Sequence, residues 1–274
     1  KRKWQVRRLL SAFVRTSEIH PHQPNPSSMQ YQIQKMTAGG ILDTAFKVFR
    51  DNLLVLLGIA LTIQAISFGT VTVLQKILST VNDPDEVVGT LVLGIPPLIA
   101  LFVLSPLGTA ISTKIVSDRY LGRAVSLADA LAAAFKVIVP LLIALLISTI
   151  LSTVGFFLFL IPGVFLVLKF ALIAPVVVVE QGGAKAAMHR SWSLTEGSMV
   201  TLILLYALVW TANIILGGTI YASIGAGLAP EALAQVFGAV INCFFSVAIT
   251  VTYFERRCAK EGFDMDLLAQ SFDG

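Results

Sequence analysis

The sequence predicts an all-α integral membrane protein that crosses the bilayer six times. Hydrophobic residues make up 56% of the 274-residue chain, charged residues make up 13%, and the mean hydropathy is +0.82. Soluble domains carry roughly twice that share of charged residues, about 25%. The apolar residues form long runs, and a helix of about 20 residues crosses the hydrocarbon layer. The Lys and Arg residues gather in particular loops, so the net charge of +4 indicates membrane orientation rather than nucleic-acid binding.

The apolar runs predict three successive membrane hairpins. Spans one, two, five and six cover residues 53–78, 87–112, 199–218 and 233–254. Spans three and four form the central hairpin, since Pro162 and Gly163 suit a tight reversal between two apolar arms. Pro140 falls in the first turn of span three, where its missing N–H costs little. Glu180 closes span four.

A short amphipathic segment precedes each odd-numbered span. These segments cover residues 40–51, 126–136 and 184–195. The tetrapeptide Ala-Phe-Lys-Val occurs in both the first and the second. We interpret them as three copies of a unit made of an interfacial helix and a membrane hairpin; chance similarity between amphipathic helices is the alternative. In the third segment, Ala184, Met188 and Trp192 are predicted on one face, opposite a polar face.

Tails flank the membrane domain, which we assign to residues 37–255. Residues 1–36 form a basic tail that we predict to be disordered. Its first part, residues 1–15, also fits an interfacial helix or an Arg-rich, acid-poor transit-like segment. Residues 256–274 form a C-terminal tail.

The positions of Lys and Arg predict the orientation. They occur before span one, between spans two and three, between spans four and five, and after span six. The three alternating loops, 79–86, 161–163 and 218–232, contain neither residue. By the positive-inside rule, both termini are therefore cytoplasmic.

The stretch 156–197 carries a recognisable motif. It combines the Pro-Gly reversal, Ala-Pro at 174–175 followed by aliphatic residues and Glu180, and the pattern Arg-Ser-x-x-Leu-Thr-x-Gly at 190–197. Weaker matches are Ile-Leu-Asp-Thr-Ala-Phe at 41–46 and Lys-Glu-Gly-Phe-Asp at 260–264. Over residues 37–268 the chain resembles the membrane domain of some bacterial glycerophosphodiester phosphodiesterases and related stand-alone inner-membrane proteins of unknown role. The resemblance implies six spans in a bacterial inner membrane.

The same motif marks candidate functional residues. These are Glu180, Arg190, Ser191, Trp192, Thr195 and Glu196, which the resemblance places together at the cytoplasmic face. They form either a site or a structural anchor. In the second case Glu180 pairs with Arg190 or Lys185 and holds the third amphipathic helix under the bundle.

Lys169 is the one charged residue deep inside a predicted span, near the membrane midplane. Placing a Lys at the centre of a span costs at least about 2.5–3.5 kcal/mol of insertion free energy, so a functional role for Lys169 is a reasonable hypothesis. No acidic residue inside any span is available as its partner. The remaining possible partners of its ammonium group are backbone carbonyls, a water-filled cavity, a lipid phosphate or a partner protein. The alternative is that its side chain extends to the outer surface, about 12 Å away along the helix.

Prolines are the other candidate functional feature of the spans. Pro96 and Pro97 in span two and Pro175 in span four each release a carbonyl four residues earlier. Broken helices of this kind bind ions in transporters. The alternative is that neighbouring helices and hydroxyl groups satisfy the released carbonyls.

We predict no catalytic residue, no cofactor and no metal site. The sequence contains no nucleophile elbow, P-loop or dinucleotide fingerprint. In the resembled proteins the phosphodiesterase activity resides in a separate soluble barrel, a fold of about 250 residues. Cys243 and Cys258 would stand about 22 Å apart on one helix, too far for a disulfide.

Two functions fit these features. The first is a non-enzymatic scaffold or accessory module that works in the lipid bilayer with a protein partner or a lipid headgroup. The second is a transporter or lipid-handling protein that uses Lys169 and the Pro-kinked span two.

Overall fold

A computed structural model describes residues 37–79, 87–124 and 126–261 of the chain. The predicted N-terminal tail and the chain beyond residue 261 lie outside the described residues. All regular secondary structure within the described ranges is α-helical. The helices are α1 Ala38–Asp51, α2 Leu53–Leu78, α3 Val87–Tyr120, α4 Leu127–Leu158, α5 Leu160–Lys169, α6 Ile173–Glu180, α7 Ala184–Leu194, α8 Met199–Ile224 and α9 Leu228–Glu261.

Six segments in these ranges are long and apolar enough to cross a membrane. Five are the single helices α2, α3, α4, α8 and α9, and the sixth combines α5 with α6. The predicted all-α chain with six membrane-length segments is thereby confirmed. Large apolar side chains lie exposed along these helices, among them Leu93, Ile150 and Trp210, each more than half exposed. Such surfaces suit contact with lipid tails.

Helix α1 and helix α2 meet at a fixed corner. The Thr37 side chain caps α1 by accepting a hydrogen bond from Gly40 N. At the other end, the amide of buried Asn52 donates to Val48 O at 2.8 Å. Its Oδ1 accepts from Arg119 Nε at 2.7 Å, which connects this corner to the end of α3.

The second amphipathic segment is not a separate helix, so this prediction is wrong. Residues 126–136 open the continuous helix α4, which Ser126 caps and which runs through Pro140. The reason lies in its packing. One face stays buried at spacings of three and four residues on both sides of the proline, so breaking the helix there would expose it. The buried residues are Ala130, Ala134, Val137, Leu141, Ala144, Ser148, Ser152 and Gly155.

The predicted boundaries of spans two and six also need correction. Helix α3 extends beyond residue 112 to Tyr120, and α9 starts at Leu228, before residue 233. Residues 256–261, which were assigned to a C-terminal tail, continue α9. The added turns at the C-terminal ends of α3 and α9 make polar tertiary contacts, Arg119 with Asn52 and Glu261 with Arg190, which hydropathy alone does not detect.

The central hairpin reverses at Phe159, not at Pro162 and Gly163. Phe159 is the single extended residue between α4 and α5, and Pro162 is the third residue of α5. Proline is tolerated there because N–H groups of a first helical turn have no intrahelical acceptor. Gly163 instead permits close packing: a Cβ built on Gly155 would lie 3.0 Å from Gly163 Cα.

The fourth predicted span is broken rather than kinked. Helix α5 ends at Lys169, a turn follows, and α6 begins at Ile173. Pro175 is the third residue of α6, where no hydrogen bond is lost. A proline at this position clashes with the carbonyl of Ala171 in a continuous helix, which accounts for the break. Helix α6 is almost fully buried and packs against α3, α4, α7 and α9.

The tightest packing lies at one end of the bundle, which we call the basic end. It is formed by the last turns of α3 and α9, the first half of α4, and helices α6 and α7. Its core includes the fully buried side chains of Tyr120, Leu141, Ile173, Leu194 and Phe254. The opposite end of the helices exposes mainly apolar side chains.

Candidate functional site

The break between α5 and α6 is closed by a side chain of α7. Ser191 has no exposed surface, and its hydroxyl donates to Lys169 O at 2.8 Å. The hydroxyl oxygen of Ser191 also accepts a hydrogen bond from Leu172 N at 3.2 Å. A broken helix inside a protein leaves backbone groups without partners, each costly when buried. Ser191 satisfies two of them and thereby fixes α7 against the break.

Lys169 sits beside Ser191 and is 5% exposed. Its Nζ donates to Trp192 O at 3.3 Å and lies 3.8 Å from Glu196 Oε1. The ammonium group also stands 4.9 Å from the centre of the Trp192 ring and 5.6 Å from that of Phe165. These are the distances of cation–π contacts.

One alternative for Lys169 is therefore wrong, because its side chain does not extend toward the opposite surface. The spans contain no acidic partner for it, as the sequence indicates, but an acidic residue from outside the spans lies close by. That neighbour, Glu196, belongs to the turn after α7 and is 60% exposed.

The buried face of α7 differs from the predicted one. Ala187, Ser191 and Leu194 are buried, whereas Trp192 is 37% exposed at the edge of the helix. The hydroxyl of Ser191 decides this rotation, because it must reach the break. Trp192 then contacts Phe165 and Phe170, with ring centres 5.7 and 5.9 Å away.

A closed ring of polar side chains joins α6, α7 and α9; we call it the ion-pair ring. Glu180 Oε1 accepts from Arg190 Nε at 3.0 Å and from the Tyr253 hydroxyl at 2.9 Å. That hydroxyl accepts from Arg257 Nη1 at 3.1 Å. Arg257 Nε lies 3.2 Å from Glu261 Oε2, and Glu261 pairs in turn with Arg190.

Within the ring, Arg190 is held by two carboxylates. Partial burial by itself lowers its pKa, and hydrogen bonds to Glu261 and Glu180 more than offset that, so the pKa is raised. The ring was predicted only in part, as a pair of Glu180 with Arg190 or Lys185, and the structure shows the pair with Arg190. Tyr253, Arg257 and Glu261 were missed, although their spacing of four residues puts them on one face of a helix.

Lys260 connects the ring with the Lys169 region. Its Nζ donates to Ser193 O and lies 3.6 Å from Glu196 Oε2. The carboxylate of Glu196 thus lies within 4 Å of two ammonium groups, those of Lys169 and Lys260. Helix α7 is held along its length by the ring, by Ser191 and by these two lysines.

The prolines of span two do not join this cluster. Pro96 and Pro97 lie in the first half of α3, and Pro96 is exposed. About 35 Å of helix separates Pro96 from Arg119, at the end of α3 that reaches the basic end. The structure therefore brings together Lys169, Glu180, Arg190, Ser191 and Trp192, with Pro175 next to them in α6.

The arrangement at the basic end can hold helices together and present exposed polar groups. Among the described residues, no group of three or more His, Cys, Asp or Glu side chains is placed to hold a metal ion. Lys185 and His189 are exposed on the outer face of α7.

No protein-family model, curated protein or solved structure matches this chain.

Proposed function

We propose that the protein is a non-enzymatic scaffold or accessory module of a bacterial inner membrane, serving envelope or lipid-related partners. The chain crosses the membrane in three hairpins, with both termini and the basic end in the cytoplasm. The observation that carries the proposal is the ion-pair ring, whose charged groups are directed at one another and immobilise α7. A rigid helix at the membrane surface is suited to holding a partner.

The alternative of transport by way of Lys169 has less support. A cargo-binding Lys needs a free ammonium group facing a cavity, and Lys169 is occupied by a carbonyl, a carboxylate and two aromatic rings. The resemblance to membrane domains that accompany enzymes also favours an accessory role.

The scaffold proposal is tested by quantitative affinity purification from native membranes after mild cross-linking. We expect a partner in near-equal amount with the parent and its loss with Lys185→Glu, since that substitution reverses an exposed charge of α7. Lys47→Glu on α1 is the control, because Lys47 is exposed and its ion pair, with Asp43, lies within its own helix. Absence of any partner at near-equal amount would contradict the proposal.

The proposed orientation predicts a labelling pattern for single cysteines in a Cys243→Ser/Cys258→Ser background. Cysteines at Asp83 and Glu231 should react with an impermeant maleimide added outside intact cells, because those loops lack Lys and Arg. Cysteines at Lys47 and Lys185 should react only after the membrane is opened. A reversed pattern at any of the four would sink the six-span arrangement.

The proposed position of α7 at the membrane surface predicts the fluorescence behaviour of Trp192. In a Trp4→Phe/Trp210→Phe background, lipids brominated near the headgroup should quench its emission. The side chain is 37% exposed and packs against Phe165, so it sits where the apolar and polar layers meet. Lipids brominated near the chain ends are the control. Quenching by aqueous iodide alone would contradict this position.

A further inference from the structure

A cavity of about 140 Å³ lies between α2, α3 and α9, and its lining combines polar side chains with apolar ones such as Ile59 and Ile63. The cavity lies well inside the apolar span and away from the basic end. Ile63 on its wall is about 15 Å along α2 from Leu53, the first residue of that span. Hydroxyl and amide side chains from all three helices face it. They are Gln64, Ser67, Ser105, Thr109, Ser112, Asn242 and Ser246.

Ser112 shows that this lining is not merely a set of small residues packed together. Its side chain is 6% exposed and borders the cavity. Among the residues that the structure describes, none forms a hydrogen bond with its hydroxyl. The hydroxyl is not sealed off by protein atoms but borders the cavity, so an occupant that hydrogen-bonds to it is favoured.

Two amide side chains of the lining form hydrogen bonds within the protein. Gln64 on α2 and Gln235 on α9 form a hydrogen bond that joins these two helices beside the cavity. The Asn242 amide donates to Gly238 O at 2.8 Å, which leaves its carbonyl oxygen for an occupant. Asn242 also borders a second cavity, of about 330 Å³, between α8 and α9. Asn242 and Asn213 supply amide groups to that second cavity, which is otherwise lined mainly by apolar and aromatic side chains.

The chemistry of the lining selects the occupant. No charged side chain is among the described residues that line the cavity. An ion would be buried there without a counter-charge, which is strongly unfavourable. A purely apolar occupant would leave the Ser112 hydroxyl without a hydrogen-bond partner. Hydroxyls and amides both donate and accept hydrogen bonds, so an occupant that does the same is complementary.

We propose that this cavity is a hydrated binding site for small, uncharged molecules rich in hydrogen-bonding groups, such as polyols. The site is separate from the proposed scaffold surface on α7. It would give the protein a second role, that of holding or passing a neutral polar solute within the membrane.

The first measurement tests hydration, with the full chain in proteoliposomes and a Cys243→Ser/Cys258→Ser background. We expect iodoacetamide to alkylate Ser105→Cys at least about tenfold faster than Leu98→Cys, since the reactive thiolate forms only where water is present. Leu98 is a matched control because it is 53% exposed on the apolar surface of the same helix. Equal rates would overturn the proposal. Ser246→Cys, on α9, replaces Ser105→Cys if that variant does not fold.

The second measurement tests binding, with erythritol as the neutral probe. Its addition should slow alkylation of Ser105→Cys by about tenfold at ten times its dissociation constant. Tetramethylammonium chloride, a cation of similar size, should give no protection. Asn242→Leu should abolish protection by erythritol while the cysteine still reacts. Rapid labelling that erythritol does not slow, equal protection by the cation, or protection that survives Asn242→Leu would each overturn the proposal.

Discussion

Substituting Gly155 by valine is expected to lower the free energy of unfolding by about 3 kcal/mol, at the upper end of overpacking effects. A Cβ on Gly155 would lie 2.9 Å from Leu166 Cδ1, 3.0 Å from Gly163 Cα and 3.1 Å from Gly163 N. Two of these atoms are backbone and cannot turn aside as a side chain does. The arms α4 and α5 must therefore separate along the central hairpin.

The effect is measured as the midpoint of thermal unfolding of purified protein in mild detergent. A loss of 3 kcal/mol corresponds to a fall of about 6–12 °C for a chain of this size. Gly217→Val is the matched control, because Gly217 lies inside α8 and nothing lies within 4 Å of a Cβ built there. Equal midpoints for the two variants would contradict the close approach of α4 and α5.

Substituting Arg190 by methionine is expected to lower the free energy of unfolding by about 2–3 kcal/mol. Removing one partner of a buried ion pair costs about 3–5 kcal/mol, and partial exposure reduces this. The side chain of Arg190 is 30% exposed, and those of Glu180 and Glu261 are 24% and 19% exposed. Without the guanidinium group of Arg190, the carboxylates of Glu180 and Glu261 lose a positively charged partner inside the ring.

Lys185→Met is the matched control for Arg190→Met. It removes the same charge from the same helix, but Lys185 is exposed. A midpoint equal to that of Lys185→Met would mean that the ring does not stabilise the fold. The double variant Arg190→Met/Glu180→Gln adds a check: if the two groups are coupled, its loss should be smaller than the sum of the single losses.

Much of the fold was predictable from local pattern. Apolar runs of membrane length identify six segments, because backbone groups in hydrocarbon must satisfy each other within one helix. The cap at Ser126 was predictable in the same way, since a capping residue acts on the next few residues. Charge and proximity in sequence narrowed the partner of Glu180 to Arg190 or Lys185, and the packed structure decided for Arg190.

Errors arose where a local signal had more than one structural solution. Pro162 and Gly163 fit a turn as well as they fit the start of a helix with a close neighbour. The neighbour is Gly155, and only the packed hairpin shows how near it lies. Pro140 is compatible with a helix start or a helix interior, and the buried face of α4 decided for the interior.

The sequence by itself determined the helical class, the six apolar segments and the residues worth attention, because those depend on runs and spacings within one helix. Tertiary structure alone decided what these residues do. Lys169 meets a carbonyl 23 residues later in the chain and Ser191 closes a break 19 residues earlier, because α7 folds back along α6. Contacts at such separations depend on how helices pack, and no local pattern encodes that.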